Sequence, residues 1–150
     1  VFDGQRGNYR EDDPPNPVNY YSLTKLVAEE AALARGNALV LRTSFKPSRW
    51  PHPVAFTDQY TSADFVDVIA PLLAEAIAAF AAGRLEPGLL HVATERKSVF
   101  ELARRRNPGV RPGSRADANV TIPPDVSLNL ERWQAARARW RAEGVEGSRA

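Results

Sequence analysis

Helical segments alternate with short apolar runs in this chain, and that order constrains its fold more than any other feature. From about Asn19 to Arg35 the composition favours a helix, and Gly36 stands where a C-terminal helix cap is expected. The mostly apolar run NALVLRTSF follows directly and is typical of a buried strand. Because a helix that leads into a buried strand is an α/β pattern, we predict an α/β fold.

The second half of the chain repeats the alternation. TSADFVDVIAPLLAEAIAAFAAG is helical in composition, with Thr61 and Asp64 at capping-box spacing and Pro71 predicted to divide it into two helices. GLLHVAT is a second candidate strand, and SVFELARRR is a short helix with Ser98 and Glu101 again at capping-box spacing. These segments extend the α/β pattern beyond the first helix and strand.

The two ends of the chain differ in character. The opening VFDG is interpreted as the end of a strand, followed by a glycine-punctuated turn and a proline-rich loop that cannot be helical. Residues 46–60 are expected to form a loop, and 111–126 a polar connection that includes a short strand. The last helix is predicted from Leu130 to Ala142, with Trp133 and Trp140 on one buried face because they are seven residues apart.

Composition excludes several classes of protein. The 150 residues are enough for the core of one domain, and they contain no run of about 18 apolar residues that could span a membrane. The absence of cysteine excludes disulfides and cysteine-ligated zinc, and it permits a reducing cytoplasm. The net charge of +2 is small, and no nucleic-acid module accompanies the arginines of Arg104–Arg106. Those arginines are interpreted as a solvated helix face, with a phosphate-binding patch as the alternative.

One constellation suggests chemistry. Tyr21 and Lys25 are four residues apart and therefore lie on one face of the predicted helix. A nearby ammonium stabilises a phenolate, so a tyrosine beside a lysine can serve as a general acid or base near neutral pH. Tyr20 does not share this register, because Thr24 stands four positions after it. The spacing alone also fits two ordinary residues of a helix, and that alternative stays open at this point.

The surroundings of this pair resemble a known family. The ordered segments VFDG, GNYREDDPPNPVNYYSLTKLVAEE and NALVLRTSF are similar to the middle of an extended short-chain dehydrogenase/reductase. More closely, they resemble the branch of dTDP-4-dehydrorhamnose reductases and related sugar-nucleotide-binding proteins. DQYTSADFVDVIAPLLAEAI, GLLHVAT and PPDVSLNLERW resemble later segments of that branch, so the likeness covers nearly the whole chain.

The resemblance implies a fold and a reaction. Residues 1–45 would be the C-terminal part of a Rossmann-type, doubly wound NAD(P)-binding domain, and 46–150 mainly a small α/β substrate-binding region. Tyr21 would protonate the carbonyl oxygen of a sugar while NADP or NAD delivers hydride, and Lys25 would bind the ribose. Thr43 and Ser44 would lie near the nicotinamide.

The resemblance also implies a substrate site and its limits. Phe2, Asp3, Asp58 and Gln59 would border the nucleotide-sugar site. Arg42 is a candidate phosphate or sugar contact, with a surface ion pair as the commoner alternative for such a residue. His91 is expected to be structural, and no metal site is predicted. The expected partners are a nucleotide sugar and, for the full-length protein, a second copy in a homodimer, with neither nucleic acid nor membrane.

The chain departs from the family in what it lacks. No glycine-rich dinucleotide-binding turn occurs, and the family's Ser/Thr that assists the tyrosine would precede Val1. Together with the absence of methionine, this leads us to expect a part of a longer protein that is inactive alone and has an exposed sheet edge. Open alternatives are a nucleotide-sugar epimerase or dehydratase of the same superfamily and a non-catalytic sugar-nucleotide-binding or regulatory relative.

Overall fold

The structure, a computed structural model, describes the backbone of residues 1–146 and the side chains of residues 1–140. Its first helix, α1 (Tyr20–Leu33), leads into strand β1 (Leu39–Arg42), as the sequence predicts. Asn19 caps α1, because its side-chain oxygen accepts a hydrogen bond from the backbone N–H of Ser22 at 2.8 Å. Gly36 adopts a φ of +73° in the turn beyond α1, a conformation that glycine tolerates without strain.

The remaining elements alternate in the same way. The strands are β2 (Phe45–Lys46), β3 (Val54–Phe56), β4 (Tyr60–Thr61), β5 (Asp64–Phe65), β6 (Gly88–His91), β7 (Lys97–Ser98) and β8 (Arg111–Gly113). The helices are α2 (Val66–Ala81), α3 (Val99–Arg104), a 3-10 turn (Arg115–Asp117) and α4 (Glu131–Glu146). Among the described helices, none is both long and apolar enough to cross a membrane.

Parallel strand pairs dominate the sheet topology. β1 pairs with β6 in parallel, with Leu39 opposite Gly88 and Arg42 opposite His91. β2 with β5 and β3 with β8 are also parallel, whereas β4 with β7 is antiparallel. Parallel strands joined through helices confirm the predicted α/β class. The carboxyl ends of β1 and β6 therefore lie side by side, at Arg42 and His91.

The main core lies between α2, β6 and α4. Trp133 and Trp140 are both buried, as predicted, and their rings meet edge to face at 5.7 Å between centroids. Leu90, Val92 and Ala76 pack in the same cluster. In this core α4 packs against β6, whereas α1 contacts β1, the strand that pairs with β6.

Several local predictions are wrong. Residues 1–3 form no strand in the described chain. Thr61 and Asp64 do not cap a helix: both lie in short strands and are buried, and Thr61 Oγ1 accepts from Ala63 N at 2.9 Å. Pro71 lies inside the continuous helix α2, because burial of the apolar side of α2 outweighs one lost backbone hydrogen bond.

Other local predictions are confirmed or shifted. Ser98 and Glu101 form a reciprocal capping box at the start of α3. The expected loop at 46–60 contains the short strand β3, which depends on its partner β8 from a distant part of the chain. The last helix begins at Glu131, and the predicted region 46–150 extends to residues 147–150, which lie outside the described residues.

Candidate active site

A buried ion pair fixes α1 to the carboxyl end of β1. The Glu29 carboxylate accepts hydrogen bonds from Arg42 Nε at 2.8 Å and from Arg42 Nη2 at 2.5 Å. The two side chains are 5% and 8% exposed, so the prediction of a surface ion pair for Arg42 is wrong. The sequence does not predict this contact, because the spacing of Glu29 and Arg42 does not indicate that β1 ends beside the third turn of α1.

Tyr21 and Lys25 lie together at the start of α1. The Lys25 ammonium is 5.3 Å from the centroid of the Tyr21 ring, and the Tyr21 side chain is 70% exposed. Because Glu29 in the third turn of α1 binds Arg42, the last residue of β1, the first turn of α1 lies beyond the carboxyl end of that strand. The predicted pair is thus brought together at an open surface, where a ligand could reach both groups.

Thr43 and Ser44 follow Arg42 at the end of β1. The Thr43 Oγ1 atom is buried and has no hydrogen-bond partner among the described residues, whereas Ser44 is exposed. Buried hydroxyl groups without a partner are uncommon in folded proteins. The carboxyl ends of parallel strands are also the usual place for ligands in α/β folds. The position and the unpaired oxygen of Thr43 are therefore compatible with the predicted cofactor contact.

Phe2 and Asp3 belong to a loop that covers the ends of β1 and β6. The Phe2 ring stacks on Tyr9 at 4.3 Å, and the Arg42 guanidinium lies 4.9 Å from its centroid. Asp3 accepts hydrogen bonds from the Tyr9 hydroxyl and, at 3.0 Å, from Asn16 Nδ2. The bond from Tyr9 is the main cause that holds the pKa of Asp3 below its usual range. Asp3 thus organises this loop.

Asp58 and Gln59 directly precede β4. Asp58 accepts from Arg115 N at 2.8 Å and from Ser114 Oγ at 2.7 Å, and these bonds lower its pKa, the backbone N–H contributing most. Asp58 and Arg115 line a hollow of about 260 Å³. Among the described residues, no hydrogen bond or ion pair joins Asp58 or Gln59 to Tyr21, so the structure does not bring the two predicted groups into contact.

His91, which is predicted to be structural, lies inside the protein. It is fully buried at the end of β6, and its ring Nδ1 lies 3.2 Å from the carbonyl oxygen of Asn129. Burial lowers the pKa of His91, because the charged imidazolium would lose its hydration. Within the described part of the chain, no group of three or more His, Cys, Asp or Glu residues is arranged to hold a metal ion.

A second buried network escaped the sequence interpretation. Lys97 Nζ lies 3.5 Å from Asp64 Oδ2, and both side chains are almost fully buried. Arg105 also binds Asp64 at 2.9 Å, and Arg106 binds Asp67 at 2.5 Å. The sequence favours a solvated helix face for these arginines, but the ion pairs engage two of the three arginines of Arg104–Arg106 with carboxylates of the protein. The two residues Asp64 and Lys97 are 33 positions apart, so no local pattern links them.

Comparison with known protein sequences finds matches to short segments of this chain. The family described as "RmlD substrate binding domain" matches residues 1–46. The methionine adenosyltransferase 2 subunit beta of Bos taurus is 54% identical over 43 residues, which are 28% of this chain and 13% of that protein. The corresponding subunit of Xenopus tropicalis matches to the same extent. The sequence relationship is thus concentrated in a short segment.

Solved structures match most of the chain. A hypothetical dTDP-4-dehydrorhamnose reductase of Sulfolobus tokodaii is 31% identical, with a TM-score of 0.71 over 92% of this chain and 54% of that one. A dTDP-4-dehydrorhamnose reductase of Bacillus anthracis, solved in complex with NADP, is 20% identical with a TM-score of 0.69, and there the chain covers 56% of the length. The chain therefore spans about half the length of these structures.

These matches agree with the segments that carry the resemblance in the sequence. The family match contains Phe2, Asp3, Tyr21, Lys25, Thr43 and Ser44. The likeness to the Sulfolobus structure extends over the strand pairs and helices that follow. The chain is therefore similar to the RmlD substrate binding domain family over residues 1–46, and to a dTDP-4-dehydrorhamnose reductase structure over most of its length.

Proposed function

We propose that this protein is an NAD(P)-dependent reductase of a nucleotide-linked keto sugar, with Tyr21 as the proton donor. The observation that carries the proposal is the Lys25 ammonium, 5.3 Å from the Tyr21 ring at the open end of α1. Both side chains are exposed on one face of α1, so a bound cofactor and substrate could contact the phenol and the ammonium together. The chain spans about half the length of these solved structures, and the proposal is made for the protein as its gene encodes it.

The residues present fit a nicotinamide cofactor. The unpartnered Oγ1 of Thr43 and the exposed Ser44 lie at the carboxyl end of β1, and Tyr21 and Lys25 lie beyond it. The cofactor, when bound, supplies the hydride. Lys25 would donate a hydrogen bond to the ribose, while Thr43 and Ser44 would contact the nicotinamide. That the Bacillus anthracis relative was solved with NADP supports this choice of cofactor.

The chain's own groups perform the proton transfer. As the carbonyl carbon of the sugar gains hydride, the Tyr21 hydroxyl donates its proton to the carbonyl oxygen, and water can restore that proton because Tyr21 is exposed. Phe2 with Asp3, and Asp58 with Gln59, are proposed to border the nucleotide-sugar site. Since Asp3 and Asp58 accept hydrogen bonds within the protein, they would shape its walls by holding the loops around it.

The proposal is tested by removing one oxygen atom. In the protein as its gene encodes it, Tyr21→Phe is expected to abolish reduction of the keto sugar and to retain binding of NADPH. The matched control is Tyr20→Phe, since Tyr20 is the neighbouring tyrosine and is 82% exposed. Wild-type turnover by Tyr21→Phe would exclude Tyr21 as the proton donor. A loss of turnover in both variants would also contradict the assignment.

Two alternatives have distinct signatures. An epimerase or dehydratase would use the same Tyr21–Lys25 pair but regenerate its cofactor, so a product assay would show conversion of the sugar without net consumption of NAD(P)H. A non-catalytic role is favoured by the similarity of part of the chain to proteins named as a subunit of methionine adenosyltransferase 2. Binding of NADPH and a nucleotide sugar without turnover would support that second role.

Two further proposals concern the location and the assembly of the protein. We propose a cytoplasmic location, which the absence of cysteine permits, and a homodimer of the full-length protein. Measurement of the molar mass in solution by light scattering tests the homodimer directly. A monomer at micromolar concentration would contradict it.

A further inference from the structure

The helix that carries Tyr21 is held to β1 by a polar contact and by little apolar packing. Among the described residues 20–33, Glu29 is the one that is buried, while Leu23 and Val27 are exposed. Glu29 binds Arg42 through two parallel hydrogen bonds, and such a fork fixes both distance and orientation. The orientation of α1 therefore depends on this one bidentate contact more than on a hydrophobic seam.

We propose that Glu29 and Arg42 are positioning residues, which hold α1 in the register that places Tyr21 and Lys25 beside the end of β1. Neither residue reaches the reacting atoms in this proposal. The inference rests on the proposed function, because it assigns a catalytic purpose to the location of Tyr21. It differs from a statement about stability, since it predicts that the geometry of the pair matters beyond its contribution to folding.

A tilt of α1 at Glu29 displaces the residues at the start of the helix. Lys25 precedes Glu29 by one turn, about 6 Å along the axis, and Tyr21 precedes it by two turns, about 12 Å. A tilt of α1 by about 5° at Glu29 would move Tyr21 by about 1 Å over that length. Misplacement of a reacting group by about 1 Å can lower the rate about 100-fold. A small loosening at Glu29 is thus sufficient to affect catalysis.

Arg42 connects α1 to two other parts of the proposed site, the end of β1 and the loop that carries Phe2. It is the last residue of β1, directly before Thr43, and its guanidinium lies over the Phe2 ring at 4.9 Å. The Arg42 Nη1 atom has no hydrogen-bond partner among the described residues, so no second acceptor is in place to replace Glu29. The same side chain therefore aligns α1, the end of β1 and the loop that carries Phe2.

The test separates geometry from charge and from stability. In the protein as its gene encodes it, Arg42→Lys keeps the charge but loses the two-pronged contact, and Glu29→Gln keeps the shape but loses the charge. Both are expected to lower kcat, Glu29→Gln by about 100-fold, while the Kd for NADPH changes less than about threefold. The double variant Glu29→Met/Arg42→Met replaces the pair by apolar side chains and is expected to recover the wild-type Tm.

The double variant decides between the two roles. If the pair positions Tyr21, kcat stays low in Glu29→Met/Arg42→Met although its Tm is restored. If the pair only stabilises the fold, kcat recovers with the Tm, and that result overturns the proposal. A kcat of Glu29→Gln within about twofold of wild type, at a temperature where both are folded, overturns it as well.

A second bidentate pair provides a matched control. Arg137 binds Glu75 at 2.9 Å and 2.8 Å and joins α4 to α2, which carry none of the proposed site residues. Arg137→Lys is expected to leave kcat unchanged. Hydrogen exchange gives a readout that does not need turnover: the amides of α1 should exchange faster in Glu29→Gln and not in Arg137→Lys. Unchanged exchange in α1 overturns the positioning role, whereas an inactive wild type with faster exchange in Glu29→Gln overturns the proposed function alone.

Discussion

Asp64 and Lys97 form a buried ion pair whose two members should differ strongly in their importance for stability. Lys97 is 4% exposed, and its ammonium lies 3.5 Å from Asp64 and 3.7 Å from Glu95. Asp64 is 2% exposed and is also bound by Arg105 at 2.9 Å. Loss of Asp64 therefore leaves the buried Lys97 with a weaker partner, whereas loss of Lys97 leaves Asp64 with Arg105.

The structure allows the two costs to be estimated. Removal of one partner from a buried pair costs about 3–5 kcal/mol when the remaining charge is uncompensated. We expect Asp64→Asn to lower the free energy of unfolding by about 3 kcal/mol, the lower end, because Lys97 Nζ keeps its bonds to Thr94 Oγ1 and to the carbonyl oxygen of Glu95. Lys97→Met retains most of the side-chain volume and is expected to cost about 1 kcal/mol, the cost of ordinary lost hydrogen bonds.

Urea unfolding of the two variants at neutral pH measures both costs, and the pH dependence supplies a second check. Burial lowers the pKa of Lys97, and Asp64 opposes that shift. Without Asp64 the pKa of Lys97 in the folded protein falls further below its value in the unfolded chain. Because the unfolded chain then binds more protons, the free energy of unfolding of Asp64→Asn should rise with pH above neutrality more steeply than that of the wild type. A cost for Lys97→Met equal to or above that of Asp64→Asn would refute the reasoning.

Three further predictions concern single residues. Burial lowers the pKa of His91, so the unfolded chain binds a proton at this histidine before the folded protein does as the pH falls below about 6.5. The free energy of unfolding should therefore decline there by at most about 1.4 kcal/mol per pH unit. Urea unfolding should show a smaller decline for His91→Gln. Ser98→Ala removes the cap of α3 and should cost about 1 kcal/mol of unfolding free energy, with no cost refuting the cap. Gly7→Ala should lower the Tm far more than Gly36→Ala. Both glycines have a positive φ, but only at position 7 would an added Cβ collide with the Asp125 carboxylate.

The patterns that the sequence predicts well are local or periodic. The helix that begins at Tyr20, the strand at Leu39–Arg42 and the capping box of Ser98 depend on neighbours within a few residues, where backbone preferences and burial periodicity suffice. The proximity of Tyr21 and Lys25 is of the same kind, because four residues make one helical turn. The order of the motifs along the chain indicates a family resemblance, which no single spacing could do.

Local patterns failed where a distant partner decided the outcome. Asp64 has the spacing of a helix cap, but strand pairing with Phe45 and the ammonium of Lys97 draw it into a buried network instead. Pro71 predicts a break, yet the apolar side of α2 is buried in the core and keeps the helix continuous. In both cases the energy of tertiary contacts exceeds the modest preference of a local sequence signal.

The sequence by itself determined that this chain is α/β, that Tyr21 and Lys25 share a helix face, and which family its motifs resemble. Only the tertiary structure decided that α1 is tied to the end of β1 by Glu29 and Arg42, and that Asp3 and Asp58 are engaged in hydrogen bonds within the protein. The physical reason is the separation in sequence of the residues that interact. A helical face is fixed by a repeat of 3.6 residues, whereas the partner of a buried charge is fixed by which segments meet when the core is packed.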